Sequence, residues 1–195
     1  GVEDAILLLE PLARKTAPAI ALAALAAHDV KTPLLVMPSD HVILNEAAFD
    51  AATTALLPLI NDGWLATYGI SPTAPETGYG YIQRSARETD VPGTFAVQRF
   101  VEKPDAETAR SYIASGDYLW NSAIFLLPAN VFLKELERLA PEVLSACCKA
   151  IDGAREDLDF IRLDEASFAE SPSIAIDYAV MEKTELAVVT PTNCG

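Results

Sequence analysis

Residues 34–70 read LLVMPSDHVILNEAAFDAATTALLPLINDGWLATYGI. Leu34–Met37 is a short apolar run stopped by Pro38, the pattern of a strand buried on both faces. Asn45 or Glu46 then opens a helix, with Pro58 placed to bend it. Trp64–Ile70 is a second apolar, strand-like run. Upstream, Ala5–Leu9 (AILLL) reads as another buried strand, ended by Glu10-Pro11. Thr16 is placed to cap a helix that carries Pro18 in its first turn and runs to about Ala27. The first 70 residues therefore alternate strand, helix, strand, helix, strand. That order predicts an α/β fold with right-handed crossovers and a mostly parallel, mixed sheet with helices on both faces.

Downstream, Gly78–Gln83 and Phe95–Val101 read as strands. Asp105 caps a helix to about Ala114, and Trp120–Leu127 is an apolar strand. Pro128–Leu139 and Pro141–Ile151 form consecutive helices, Asp177–Lys183 a short one, and Leu186–Val189 a last strand. No repeat, low-complexity segment or linker divides the chain, so residues 1–195 are read as one domain.

Composition narrows the function. Hydrophobic residues make up 51% and charged residues 22% of the 195, which is globular rather than disordered. The formal net charge is -14, so the surface repels nucleic acid and anionic membranes. A phosphate-bearing ligand then needs a local positive site or a divalent cation. The 3 cysteines form no CxxC pattern: Cys147 and Cys148 are adjacent, suited to a helix, and Cys194 is nearly terminal. His28 and His41 are too few for a His-rich metal site. Such cysteine usage points to a reducing, cytoplasmic setting. No apolar run reaches the roughly 18 residues of a membrane span.

Ligands of open α/β sheets bind beyond the carboxyl ends of strands, where Asp40 sits, three residues after Met37. There it either holds Mg2+ or caps the next helix. His41 beside it reads as orienting the loop. In Glu76–Tyr81 (ETGYGY), Gly80 either lets the backbone approach a sugar or phosphate, or simply enters a strand. Glu102 and Lys103 end a strand, and alternation places them on different sides. They suit a sugar hydroxyl and a phosphate, or form a solvated pair. Asn121 offers a donor and an acceptor to a sugar, or forms a turn. P-loop, nucleophile-elbow and reactive-cysteine signatures are not seen.

The order of these segments is more specific than any one of them. EPLARKTAPAIALAALA (10–26), MPSDHVI (37–43), YGISPTAPETGYGYI (68–82), RFVEKP (99–104), LWNSAIF (119–125) and IDYAVMEKT (176–184) follow one another as in bacterial mannose-1-phosphate guanylyltransferases. The chain most resembles the long form, fused to a phosphomannose isomerase domain. The resemblance implies a Rossmann-like nucleotidyltransferase fold with a sugar-binding lobe. It also implies synthesis of GDP-mannose and pyrophosphate from GTP and mannose 1-phosphate, as a polysaccharide precursor, with a divalent cation such as Mg2+. By motif, Asp40 is the implied metal ligand at the nucleotide phosphates and Gly80 the backbone contact to the sugar. Glu102 and Asn121 are implied to bind mannose hydroxyls, and Lys103 to grip the sugar phosphate. Arg14 and Thr16 fall in the nucleotide-side segment, where Lys15 replaces the family's usual Asn. Asp177 lies in a substrate-side motif or caps the helix that starts there. WNSG becomes WNSA, with Ala123 at the glycine position. The resemblance further implies that the glycine-rich triphosphate loop, a second metal-binding aspartate and the isomerase domain lie outside this chain, which alone would then be inactive. Neither nucleic acid nor membrane is expected as a partner, and a homo-oligomer is left open. The alternatives are a nucleotidyltransferase for another hexose 1-phosphate and a non-catalytic sugar-phosphate-binding module.

Overall fold

The computed structural model describes residues 5–27, 29 and 32–193; His28 and Cys194 lie outside these. The chain forms two compact units, each built from separated stretches: Gly1–Thr32 with Phe132–Lys183, and Pro33–Val131 with Thr184–Gly195. Because neither unit is continuous in sequence, no linker marks the division.

In the first unit, β1 (Leu7–Leu9) is followed by α1 (Thr16–Ala26). α1 buries Ala17, Ile20, Ala21, Leu22 and Ala24 and packs on α5 (Pro141–Asp152), which follows α4 (Ala129–Leu139). Burial pushes the Cys147 thiol up to about 12, and its Sγ lies 3.7 Å from the carbonyl of Pro18. It is a core residue, as its helical setting suggested. Thr16 does not cap α1. Lys15 holds that position with φ 64 and no side-chain bond. The Thr16 hydroxyl instead accepts from the Ile176 amide at 2.9 Å.

β1 does not join the main sheet. It pairs in parallel with β8 (Phe160–Arg162), which forms a hairpin with β7 (Arg155–Asp157). Leu7 is 43% exposed, so the AILLL run is not buried on both faces. α6 (Glu165–Ala169) is capped by Asp164. The predicted helix at 177 is a single wide π turn, Asp177–Met181, and Asp177 is its first residue rather than its cap.

The second unit holds a six-stranded sheet of β2 (Pro33–Val36), β3 (Leu65–Ile70), β4 (Gly80–Glu88), β5 (Phe95–Glu102), β6 (Tyr118–Pro128) and β9 (Ala187–Pro191). Its order is β2-β6-β3-β9-β5-β4, and β4 also bonds β6, so the pairing closes on itself. The α/β class with a mixed sheet is as expected, but the sheet is not mostly parallel. Among the described residues, β3–β9 is its parallel pair and the other pairings are antiparallel. The reason is β6. β2 and β3 run in the same direction across α2 (Glu46–Asn61), as the alternation predicted, but β6 slots between them antiparallel to both.

α2 lays Phe49, Leu56, Leu59 and Ile60 on Ala66, Tyr68, Ile124 and Leu126. Its cap is Asn45, whose side chain accepts from the Ala48 amide at 3.1 Å. α3 (Ala106–Ser115), capped by Asp105, packs Ala109 and Tyr112 on Tyr81 and Tyr118. Burying such apolar surface is worth roughly 25 cal/mol per Å², which stabilises the packing of α2 and α3 on the sheet.

Candidate functional site

Gly80, Glu102, Lys103 and Asn121 come together at one end of the second unit. Register brings the first pair into line, since Gly80 of β4 stands opposite Glu102 of β5. A Cβ on Gly80 would lie 2.6 Å from Glu102 Oε2 and 3.3 Å from Asn121 Cβ. A side chain at Gly80 would therefore have to push the Glu102 carboxylate aside and crowd Asn121 Cβ. Gly80 does more than start a strand.

Lys103 follows the last residue of β5 with φ 47, in the left-handed region that costs a side-chain-bearing residue roughly 1–2 kcal/mol. Its amide donates to the Tyr79 carbonyl at 3.2 Å, which curls the chain back. The alternation rule therefore stops at Glu102, and the expectation that Glu102 and Lys103 point to different sides fails. Lys103 Nζ lies 3.3 Å from Glu102 Oε1. The lysine side chain is 64% exposed and the glutamate 23%, so this pair contributes little stability. It presents a carboxylate and an ammonium side by side, able to take a hydroxyl and an anion together.

Asn121 both turns the chain and faces the cluster: its Oδ1 accepts from the Ala123 amide at 3.1 Å. Trp120, in β6 opposite Tyr81, meets Tyr79 edge-on at 5.1 Å. Sequence reasoning passed over Tyr79 and Ser122. The run GYGY and the WNS motif were the available signals.

Asp40 lies in an exposed turn after β2, at the mouth of a cleft of about 300 Å³ lined by His41, Ile43, Tyr68, Ile70 and Ser122. The helix-cap reading of Asp40 falls, because Asn45 caps α2. Ser122 joins this cleft to the Asn121 cluster in sequence. Among the described residues no group of three His, Cys, Asp or Glu side chains could hold a metal ion. A lone carboxylate still suits Mg2+, which commonly takes one or two protein carboxylates and completes its shell with phosphates and water.

Arg14, Thr16 and Asp177 belong to the other unit. There Arg14 Nη2 donates to the Ala169 carbonyl at 2.6 Å. Ala17 N donates to Ile174 O at 3.1 Å, and Ile174 N to Arg14 O at 3.2 Å. With the Thr16 bond, these tie residues 14–17 to the stretch leading into Asp177. A larger cleft of about 540 Å³ in that unit is lined by Leu9, Glu10, Arg155, Arg162, Asp164 and Glu165, among others. Its lining mixes three carboxylates with two guanidinium groups, and burial raises the Glu10 carboxyl. It holds none of the residues singled out from the sequence.

The family model for nucleotidyl transferases matches residues 2–167. The chain belongs to the nucleotidyl transferase family. It is 55% identical over 197 residues to a xanthan biosynthesis protein XanB of Xanthomonas campestris pv. campestris strain B100, covering 100% of this chain and 41% of that protein. It is 52% identical to the mannose-1-phosphate guanylyltransferase ManC of Salmonella typhimurium and 50% to a mannose-1-phosphate guanylyltransferase of Escherichia coli K12, in each case over 97% of this chain and 41% of the relative. The chain thus spans about two fifths of the length of these curated relatives. Among solved structures, a mannose-6-phosphate isomerase from Helicobacter pylori superposes with a TM-score of 0.86 at 34% identity, over 97% of this chain and 72% of that one. A protein described as mannose-1-phosphate geranyltransferase from Thermus thermophilus gives 0.80 at 34%, over 96% and 53%.

Proposed function

We propose that this chain is the nucleotidyltransferase part of an enzyme that makes GDP-mannose and pyrophosphate from GTP and mannose 1-phosphate, for polysaccharide synthesis. The observation that carries the reading is the convergence of Gly80, Glu102, Lys103 and Asn121, a carboxylate and an amide for hydroxyls beside an ammonium for phosphate. The printed names of relatives at 50–55% identity support the same chemistry. Their greater length is consistent with a second, isomerase domain in the encoded protein.

The reaction is an in-line displacement. A phosphate oxygen of mannose 1-phosphate attacks the α-phosphorus of GTP, the bond from that phosphorus to the bridging oxygen breaks, and pyrophosphate carries the electron pair away. No protein nucleophile is required, so the chain contributes alignment and charge. Glu102 and Asn121 orient the sugar, and Lys103 holds its phosphate. Asp40 is the residue that would hold Mg2+; by their motifs Arg14 and Thr16 are assigned to the nucleotide and Asp177 to the substrate. When bound, the cation neutralises charge on the phosphates. The acidic protein tolerates a polyanion because Lys103 and the cation supply a local positive field. No helix among the described residues is long and apolar enough to cross a membrane; a cytoplasmic enzyme is part of the proposal.

Titration of the protein as its gene encodes it separates the substrates. Glu102→Gln and Lys103→Ala weaken mannose 1-phosphate by about ten- to a hundredfold, the worth of a charge-assisted hydrogen bond, and leave GTP unaffected. Equal weakening of both substrates, or weakening of GTP alone, overturns the assignment.

A further inference from the structure

Residues 121–123 do not keep the pleat of β6. Against β3 the register steps from Thr67↔Phe125 to Gly69↔Asn121, so Tyr68 stands opposite Ser122, Ala123 and Ile124. Ala123 sits at φ 57, a conformation that glycine adopts far more readily. The bulge is strapped by one hydroxyl. Ser122 Oγ donates to the Tyr68 carbonyl at 2.6 Å across the sheet and accepts from the Ile124 amide at 3.2 Å along its own strand. The Ala123 amide meanwhile holds Asn121 Oδ1 at 3.1 Å. With its oxygen anchored, the Asn121 amide turns its amino end toward Gly80. Nδ2 lies 3.6 Å from where a Cβ on Gly80 would stand, and Glu102 Oε2 lies 2.6 Å from that same point.

We propose that Ser122 is a positioning residue for sugar recognition: by strapping the bulge it aims the Asn121 amino group beside the Glu102 carboxylate, giving one donor and one acceptor for neighbouring hydroxyls. This rests on the sugar-phosphate site proposed above. Removing the hydroxyl leaves the side chains that touch substrate in place but frees their geometry, and bulges beside sites commonly serve to aim a side chain.

The test is steady-state kinetics of the encoded protein, varying mannose 1-phosphate and GTP in turn, for Ser122→Ala, Ser122→Thr, Asn121→Ala and the double alanine variant. Ser122→Ala is expected to raise KM for mannose 1-phosphate about tenfold, with KM for GTP and kcat held within about threefold. Ser122→Thr, which keeps the hydroxyl, restores the sugar KM. In the Asn121→Ala background, Ser122→Ala adds nothing further. If Ser122→Ala fails to fold, Ser122→Cys, similar in size with a weaker donor, is read in the same way. An unchanged sugar KM in Ser122→Ala while Asn121→Ala raises it overturns the positioning role and leaves the sugar site standing. An equal rise in both KM values with no rescue by threonine overturns it as merely structural. An unchanged sugar KM in Asn121→Ala removes the sugar site itself.

Discussion

At Gly80 the fit is decided by a single methyl group. A Cβ there would sit 2.6 Å from Glu102 Oε2, well inside van der Waals contact. Gly80→Ala must therefore displace the glutamate, and it is expected to weaken mannose 1-phosphate at least tenfold without changing GTP binding. Isothermal titration with each substrate checks this, and unchanged sugar-phosphate binding would show that Glu102 can turn away without loss. Asp40→Asn is expected to lower kcat more than tenfold, with part of the loss restored by excess Mg2+ or Mn2+. Activity within about twofold of the parent would remove the metal role. These residues were legible because each stands at a strand end that an apolar run announces: Asp40 after LLVM, Glu102 after FAVQRFV. The Glu102–Lys103 contact was not legible, since side-chain alternation holds only while the backbone is extended and Lys103 leaves it at φ 47. The Ser122 strap was hidden for a like reason: a bulge breaks the period on which strand reading depends.

At the scale of elements, the sequence placed helix starts at Asn45 or Glu46 and at Asp105, whereas its cap at Thr16 fails and the cap at Asp164 was not read. Asn45, Asp105 and Asp164 each accept a backbone N–H three residues on. Asn45→Ala should destabilise the fold by about 1 kcal/mol, seen as a lower urea midpoint. The Thr108 amide holds the Asp105 carboxyl below its usual value of 3.8, and the Ser167 side chain, followed by its amide, does the same for Asp164. A depressed folded pKa means that the stabilisation is present above the ordinary pKa and is lost as pH falls through the lower, folded one. Stability should therefore drop on acidification below about pH 4. Asp105→Asn should flatten part of that dependence in thermal melts taken from about pH 7 to about 2.5. A pH profile identical to the parent's would contradict the cap's role. The elements that sequence reading missed are β7 and β8, three residues each (RED and FIR), and α6, five residues (EASFA), all too short to show a period.

For the whole chain, strand–helix alternation correctly gave the direction of β2 and β3 and the α/β class. The neighbours of each strand were beyond it. β6 lies about fifty residues downstream of β3, and what seats it between β2 and β3 is long-range register, which leaves no local trace. The same limit applies to the division into two units, each assembled from distant stretches. Charge acts at this scale too. With a net charge of -14 surrounding it, Lys103 is expected to matter less as ionic strength rises, so the Lys103→Ala defect should shrink between low and high salt. In the proposed function the encoded protein joins GTP to mannose 1-phosphate through the Gly80–Glu102–Lys103–Asn121 site. The most direct measurement is pyrophosphate release with GTP and Mg2+, with mannose 1-phosphate, glucose 1-phosphate or no sugar phosphate added, in the parent and in Glu102→Gln. Release is expected to require mannose 1-phosphate and to fall at least tenfold in the variant when the sugar phosphate is limiting. Equal release with glucose 1-phosphate, or release from the variant matching the parent, would contradict that claim.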